Sequence, residues 1–142
     1  MQKRLLCALT LTTCLTTPAA AENWRYINDV GYEVAYGDAD SIARSGNSVS
    51  VNVLLSHAID DFHSQVVEFD CSNDKFRIRE ATDLKADKTY LQTPEFETQW
   101  KDVSGTMSAM SAFGCVNSEY GTPVGDPFSS INDYWYYYYY DY

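Results

Sequence analysis

Short runs in which apolar and polar residues alternate fill most of the chain between residues 24 and 81 and predict β-strands. The clearest run is residues 48–54, where valines at every second position would point to one face and small polar residues to the other. This pattern is typical of an antiparallel sheet with one face on the core and the other towards water. Runs rich in aromatic and β-branched residues predict four further strands, at residues 24–27, 32–36, 64–69 and 76–81.

Residues 76–79 alternate between apolar and basic side chains. We expect Phe76 and Ile78 to face the core, and Arg77 and Arg79 to face water or acidic residues of the neighbouring strand. The acidic residues in question are Glu68 and Asp70. Ion pairs of this kind stabilise a sheet only modestly.

A helical period replaces the alternation further along the chain. Met107, Met110 and Phe113 recur at three-residue spacing and would share one face of a helix. Ser104 can cap its N-terminus, and Gly114 can end it. The pattern therefore predicts one helix from about Met107 to Phe113, whose methionine and phenylalanine stripe packs on the sheet.

Residues 83–98 are polar, have no period and include Pro94, so we predict a long surface loop there. Taken together, the elements predict an α+β fold that is mainly antiparallel β, with a small twisted sheet and one C-terminal α-helix.

The N-terminus has the organisation of a secretory signal peptide. Lys3 and Arg4 form a short positive segment, residues 5–15 form an apolar stretch, and residues 18–21 supply the small side chains that a signal peptidase needs. We place the cut after Ala21 and expect an exported protein.

A lipid anchor at Cys14 is the alternative to that cut, because residues 11–14 faintly resemble a lipoprotein processing site. The apolar stretch is far shorter than the roughly 20 residues that a permanent membrane helix needs, and no later segment comes near that length. We therefore predict no transmembrane segment and a location in the periplasm or on the bacterial cell surface.

The charge of the chain is strongly acidic. It has ten basic and twenty acidic residues, and only Lys3 and Arg4 of these fall in the predicted signal. Residues 22–142 therefore carry a formal charge of −12. Such a surface disfavours nucleic acid and anionic phospholipid as partners.

Two of the four cysteines would leave with the signal, so that Cys71 and Cys115 remain. An even pair in an oxidising compartment predicts a disulfide, which would pin the end of the predicted helix. Closing a loop of about 45 residues would stabilise the fold by roughly 4 kcal/mol. A catalytic or metal-binding pair is the competing idea, but the Cys-x-x-Cys spacing is missing and no histidine is near either cysteine.

An aromatic segment follows Cys115. Residues 121–127 predict a flexible linker, and residues 136–140 are all tyrosine. Tyrosine and tryptophan dominate protein-recognition surfaces because they offer large amphipathic faces at low entropic cost. The candidate partner-binding residues are Tyr134, Trp135, Tyr136, Tyr138 and Tyr140. Two other interpretations stay open, a disordered low-complexity tail and an added edge strand.

The only histidines of the chain, His57 and His63, have Asp60 and Asp61 as neighbours, which would suit a metal site or an acid–base pair. The segment reads as a polar connection between two strands, so we interpret both histidines as solvated. Motifs of serine hydrolases, zinc proteases and phosphate-binding loops are missing. We predict no catalytic residue, no cofactor and no metal.

Several short motifs follow one another between residues 23 and 116. They are Trp24-x-x-Ile27, Asp38-x-x-Ser41-Ile42, Gly46-Asn47-x-Val49-x-Val51-x-Val53, Glu68-Phe69-Asp70-Cys71 followed by Phe76-Arg77, and Trp100 to Gly105-Thr106 with Cys115. In this order and spacing they resemble the surface-adhesin protein E family.

The resemblance implies a small antiparallel sheet with one C-terminal helix tied down by a disulfide, displayed in the bacterial envelope. It further implies adhesion to host extracellular-matrix or serum proteins. The chain departs from the family by continuing for 27 residues past Cys115.

We predict a signal peptide at residues 1–21, an adhesin E-like domain at 22–117, and a flexible linker with a tyrosine-rich tail at 118–142. The predicted function is that of a non-enzymatic interaction protein. The alternative is a periplasmic structural or stress-related protein. An exposed sheet edge would permit a homodimer.

Overall fold

The computed structural model describes residues 22–141. The predicted signal peptide, its cut after Ala21 and the alternative anchor at Cys14 lie outside the described residues. Within the described part, the chain forms one antiparallel sheet of nine strands with a helix on each face. The strands are β1 (Trp24–Val30), β2 (Glu33–Asp38), β3 (Ala43–Ser45), β4 (Ser48–Ser56), β5 (Phe62–Asp70), β6 (Lys75–Leu84), β7 (Tyr90–Gln92), β8 (Lys101–Asp102) and β9 (Thr122–Pro123). The helices are α1 (Thr106–Ser111) and α2 (Pro127–Tyr140).

The fold class is confirmed, since each of the five predicted strands lies within β1, β2, β4, β5 or β6 or overlaps it closely. The strand order across the sheet is β7-β6-β5-β4-β2-β1-β9, with β3 paired to the start of β4 and β8 paired to the start of β6. Antiparallel connections between sequence neighbours account for most of this order, as short hairpin turns require.

One face of the sheet carries the core that the valine alternation predicted. Its sheet residues are Ile27, Ala35, Val49, Val51, Val53, Leu55, Val67 and Phe69. Met107, Met110 and Phe113 cover this face, and Met110 and Phe113 are fully buried. Gly37 on β2 makes the close approach possible, because a Cβ atom there would lie 2.5 Å from the ring of Phe113.

Helix α1 differs from the prediction at both ends. Gly105 rather than the Ser104 side chain precedes its first turn, and the Ser104 carbonyl accepts a hydrogen bond from the Met107 amide at 3.1 Å. Gly114 does not end the helix, because the backbone continues as a π-helical turn over Ala112–Val116. Gly114 instead lets this turn lie directly on Val51.

The predicted disulfide is confirmed and joins Cys71, just after β5, to Cys115 in the π-helical turn. The two Cα atoms lie 5.7 Å apart, within the usual range for the bond. The bridge therefore holds the segment after α1, rather than α1 itself, against the sheet.

The opposite face of the sheet carries a second core, which the sequence did not predict. Its sheet residues are Trp24, Val34, Tyr36, Leu54 and Phe62. Ile131 and Trp135 of α2 complete it, and both are fully buried. The second core covers only part of that face, because Ser50, Asn52 and Glu68 on the same side of the sheet stay partly or fully exposed, as the alternation in β4 predicted.

The C-terminal segment is folded. It is neither the flexible linker that we predicted nor the disordered tail or the edge strand of aromatic residues that we left open. Residues 122–123 form β9 beside β1, and residues 127–140 form a helix. The Arg25 guanidinium fixes the approach to β9 by donating hydrogen bonds to three backbone carbonyls. These belong to Glu119, Tyr120 and Gly121.

The predicted loop at residues 83–98 is shorter than expected. Strand β6 continues to Leu84, and residues 90–92 return beside it as β7. A turn closed by the Lys85 amide on the Thr89 carbonyl, at 2.9 Å, connects the two strands. In the described part of the chain, no helix has both the length and the apolar character needed to cross a membrane.

A β-bulge interrupts β6 where it pairs with β5. Val66 pairs with Glu80 but the next residue, Val67, pairs with Ile78, so that Arg79 is an extra residue. Strict alternation would place Asp83 on the opposite face of the sheet from Phe76 and Ile78. Because of the extra residue, all three side chains lie on the same face. The predicted pairing of both arginines with Glu68 is present, at 2.9 Å for Arg77 and 3.0 Å for Arg79.

Candidate functional site: an aromatic and acidic surface on the C-terminal helix

Helix α2 begins at a well-formed cap. The Asp126 carboxylate accepts hydrogen bonds from the Phe128 amide at 3.2 Å and from the Ser129 hydroxyl at 3.1 Å. Pro127 occupies the first turn, where its fixed φ suits a helix and its missing N–H leaves nothing unpaired. Lys88 lies 3.2 Å from the same carboxylate. Partial burial raises the pKa of Asp126, but the hydrogen bonds from Lys88, Ser129 and Phe128 outweigh it and lower the pKa.

Two residues one turn apart, Ile131 and Trp135, fix which face of α2 meets the sheet. The Trp135 indole N–H donates a buried hydrogen bond to Ser56 Oγ at 2.8 Å, and this hydroxyl donates to the Ala58 carbonyl at 2.9 Å. Trp135 is only 1% exposed. It is therefore a core residue, and its prediction as a partner-binding residue is corrected.

The last turns of α2 carry five consecutive tyrosines, and all five are exposed. Tyr136, Tyr138 and Tyr140 were predicted to contact a partner. Tyr137 and Tyr139 were not, but they are exposed in the same run. Tyr138 packs edge-on against Trp135 and against Tyr32, with ring centroids 5.4 and 6.4 Å apart. Tyr32, in the turn between β1 and β2, is itself 72% exposed.

A groove of about 950 Å³ opens beside these tyrosines. Its lining residues are Asp29, Tyr134, Tyr137, Tyr138 and Asp141. The Tyr134 hydroxyl donates a hydrogen bond of 2.6 Å to the Asp29 carboxylate, so that this carboxylate is held in place. We call the groove residues together with Tyr32, Tyr136, Tyr139 and Tyr140 the aromatic–acidic surface.

Two tyrosines beside Asp29, Tyr134 and Tyr26, have raised pKa values and stay protonated at physiological pH. Burial, the hydrogen bond with Asp29 and the charge of Asp29 all raise the pKa of Tyr134. Burial, followed by the charge of Asp29, raises the pKa of Tyr26 to about 12. These tyrosines are therefore neutral hydrogen-bonding groups beside a negative carboxylate.

The electrostatics of this surface favour a cation. Among the described residues, none that lines the groove is basic, and Asp29 and Asp141 contribute two carboxylates. Helix α2 has no basic residue in its last turn, so the negative end of its dipole is not compensated there. Tyrosine ring faces attract cations as well. The surface can therefore hold a lysine, arginine or other organic cation between carboxylates and aromatic rings.

The structure brings the two histidines together, whereas the sequence suggested that both were merely solvated. Their ring centroids lie 5.3 Å apart, on the face of the sheet opposite α2. Burial lowers the pKa of His63, but hydrogen bonds with Asp83 and Asp61 and their charges outweigh it and raise the pKa. Asp60 is not part of this cluster, because its backbone and carboxylate bond Asn132 of α2.

Several residues of the aromatic–acidic surface were missed from sequence. Tyr137 and Tyr139 belong to the tyrosine run and could have been included with their neighbours. Asp29 and Tyr32 lie about a hundred residues earlier, and no local signal connects them to α2. Only the register of the fold brings the turn between β1 and β2 next to the end of the chain.

Comparisons of the chain with protein-family models, with curated proteins and with solved structures found no significant match. The resemblance to the surface-adhesin protein E family therefore stays a prediction from motif order.

Proposed function

We propose that this is a non-enzymatic interaction protein that binds a basic segment of a partner protein through the aromatic–acidic surface. The observation that carries the proposal is the concentration of exposed tyrosines around two carboxylates at one end of α2. An exposed aromatic patch of this kind is uncommon on proteins that bind nothing.

The residue types suit protein recognition. A tyrosine side chain buries a large area while losing few rotamers, and its hydroxyl can pair with a partner's backbone or side chains. A lysine or arginine over a tyrosine ring gains roughly 0.5–2 kcal/mol, depending on how far the contact is desolvated. The formal charge of −12 for residues 22–142 would also attract a basic partner over a distance.

The motif resemblance suggests what the partner would be. A member of the surface-adhesin protein E family would display this surface in the bacterial envelope, towards host extracellular-matrix or serum proteins. A lysine- or arginine-rich segment of such a protein would fit the proposed chemistry. A periplasmic structural or stress-related role remains the alternative, and in that role the partner would be a component of the envelope itself.

The test compares tyrosines of equal exposure at two places. Tyr137 in the groove and Tyr90 on β7 are both 61% exposed. The full chain and its Tyr137→Ser, Asp141→Asn and Tyr90→Ser variants are titrated with an arginine-rich peptide, with its glutamate counterpart, and with immobilised matrix and serum proteins. We expect Tyr137→Ser and Asp141→Asn to weaken binding of the basic peptide several-fold, and Tyr90→Ser to leave it unchanged.

Equal effects of Tyr137→Ser and Tyr90→Ser would contradict the proposal, as would tighter binding of the glutamate peptide. Deletion of the C-terminal residues is a poorer test, because it would also remove Trp135 from the core. Protease treatment of intact cells separates the two locations, since a surface protein is cleaved and a periplasmic one is protected.

A further inference from the structure

Four strands bring ionisable side chains together at one end of the sheet, on the face that α1 covers. His63 on β5 pairs directly with Asp83 on β6 and with Leu55 on β4, so these three side chains share that face. Glu33 at the start of β2 and His57 just after β4 lie beside them, with the carboxylate 3.0 Å from the imidazole. Asp61 reaches the same place from the turn between β4 and β5.

His63 is oriented by a carboxylate that is itself fixed. Its Nδ1 lies 2.6 Å from Asp83 Oδ1, and Asp83 is buried. The other oxygen of Asp83 accepts a hydrogen bond from the Gln92 side chain on β7 at 2.7 Å. The chain from Gln92 through Asp83 thus holds the imidazole so that its Nε2 points to Asp61, 2.8 Å away.

His57 is oriented in the same way by a different carboxylate. Its Nε2 lies 3.0 Å from Glu33 Oε2, which leaves Nδ1 turned towards Asp61 Oδ2 at 3.3 Å. Asp61 is held by the His57 backbone amide, which donates to Oδ2 at 3.0 Å. Each histidine therefore has one ring nitrogen on an orienting carboxylate and the other on the shared Asp61.

We propose that His57 Nδ1, His63 Nε2 and the Asp61 carboxylate bind one zinc ion, with Asp83 and Glu33 as the carboxylates that orient the two imidazoles. The three candidate ligand atoms all lie within 4.8 Å of one another. Tetrahedral zinc with bonds of about 2.0–2.1 Å needs neighbouring ligand atoms about 3.3 Å apart, which small rotations of these side chains provide.

The arrangement matches the way proteins build zinc sites. A ligating histidine normally donates its second N–H to a carboxylate, which fixes the ring and raises its basicity. Two imidazoles favour zinc or a late transition metal over calcium and magnesium, which prefer all-oxygen sites. A cavity of about 200 Å³ adjoins both histidines, bounded on one side by residues 94–96, and has room for a water as fourth ligand.

The proposal is independent of the aromatic–acidic surface, because the cluster lies on the opposite face of the sheet. The same contacts could serve only as ion pairs between imidazolium and carboxylate, which a zinc titration distinguishes. The full chain is used without an affinity tag and with Cys7→Ser and Cys14→Ser, since free thiolates would compete for zinc.

Zinc chloride is titrated calorimetrically into this protein and into its His63→Ala, Asp83→Asn and Glu80→Gln variants. Glu80→Gln is the matched control, because it removes one negative charge from the same strand as Asp83 without touching the histidines. We expect one zinc per chain, no saturable binding by His63→Ala, an affinity lower by about 10–100-fold for Asp83→Asn, and no change for Glu80→Gln.

Nitrogen-15 spectra of the histidines test the geometry without a substitution, and so do not depend on whether a variant folds. Zinc should shift the resonances of His63 Nε2 and His57 Nδ1 as metal ligands, while the other two nitrogens keep their protons. The absence of saturable zinc binding would overturn the proposal. Equal losses in Asp83→Asn and Glu80→Gln, or zinc on His63 Nδ1, would overturn it too.

Discussion

Each face of the sheet carries a helix, but the two helices are held in different ways. On one face, α1 and the turn after it pack Met107, Met110 and Phe113 on the sheet, and the Cys71–Cys115 bridge holds that turn covalently. On the other face, α2 is held by Ile131, Trp135 and a few hydrogen bonds, with no covalent link to the sheet.

The difference would let one helix serve packing and, in the proposed function, recognition as well. α1 is six residues long, and its apolar side chains are almost all used in the core. α2 is fourteen residues long, and the residues after Trp135 extend past the part that packs. Its first two turns and Trp135 stabilise the fold, whereas the tyrosines beyond Trp135 are exposed.

Among substitutions on the two faces, Trp135→Ala should lower the free energy of unfolding most. It would leave a large cavity and remove the buried hydrogen bond that the indole donates to Ser56 Oγ, and we expect a loss of about 3–5 kcal/mol in the free energy of unfolding. Urea denaturation measures it. Tyr139→Ala is the control, because its ring stacks on Trp135 from outside and is exposed. Equal small losses in both variants would mean that α2 is not part of the core.

Removal of the disulfide by Cys71→Ser with Cys115→Ser should cause the next largest loss in the free energy of unfolding, about 2–4 kcal/mol. The loss arises because the unfolded chain gains the freedom that the bridge between residues 44 apart had removed. Thermal unfolding with and without reductant measures it. Reductant should lower the Tm of the parent and leave that of the double variant unchanged, and any other result contradicts the assignment.

Asp126→Ala should cost about 1 kcal/mol at neutral pH, because α2 loses its cap. The pKa of Asp126 is lowered in the folded protein, so its contribution is complete above the ordinary carboxyl pKa and is lost as the pH falls through the lowered value. The difference in the free energy of unfolding between parent and variant should therefore become smaller at acidic pH. Asp133→Ala, a charge removal on the exposed side of the same helix, is the comparison, and a difference that grew in acid would refute the cap.

Tyr137→Ser should have the smallest effect on stability, within about 0.5 kcal/mol, because the side chain is exposed. Its effect on binding should be much larger. Measuring urea stability and peptide affinity on the same preparation tests whether the end of α2 is separable from its packed part. A matching loss in both would show that it is not.

The sequence predicted the α1 face well because its signals are local. Alternating valines mark β4, three-residue spacing marks the helix, and a single cysteine pair remained after the predicted signal. Helix α2 was missed because a run of identical tyrosines has no polar and apolar period. The signal that could have found it is Asp126 followed by Pro127, a capping residue and a favoured first helical residue, with Ile131 and Trp135 one turn apart.

The two histidines and Asp61 lie close together in the sequence, but the carboxylates that orient the imidazoles could not be predicted, because a bulge decides the position of Asp83. Alternation from Phe76 and Ile78 would place Asp83 on the opposite face of the sheet, away from His63. The extra residue at Arg79 brings Asp83 to the same face as His63. The position of such a bulge is set by tertiary packing, and the local pattern of apolar and polar residues does not reveal it. Glu33 likewise joins the cluster only through the pairing of β2 with β4.

The contact between Tyr134 and Asp29 joins residues 105 positions apart in the chain. A ribosome releases β1 long before α2, so the second core stays open while most of the chain is being made. Contacts of such long range also slow the final folding step, since the loop between them must be closed before they form. During synthesis, the apolar side of the sheet that awaits α2 is therefore the surface on which a chaperone would act.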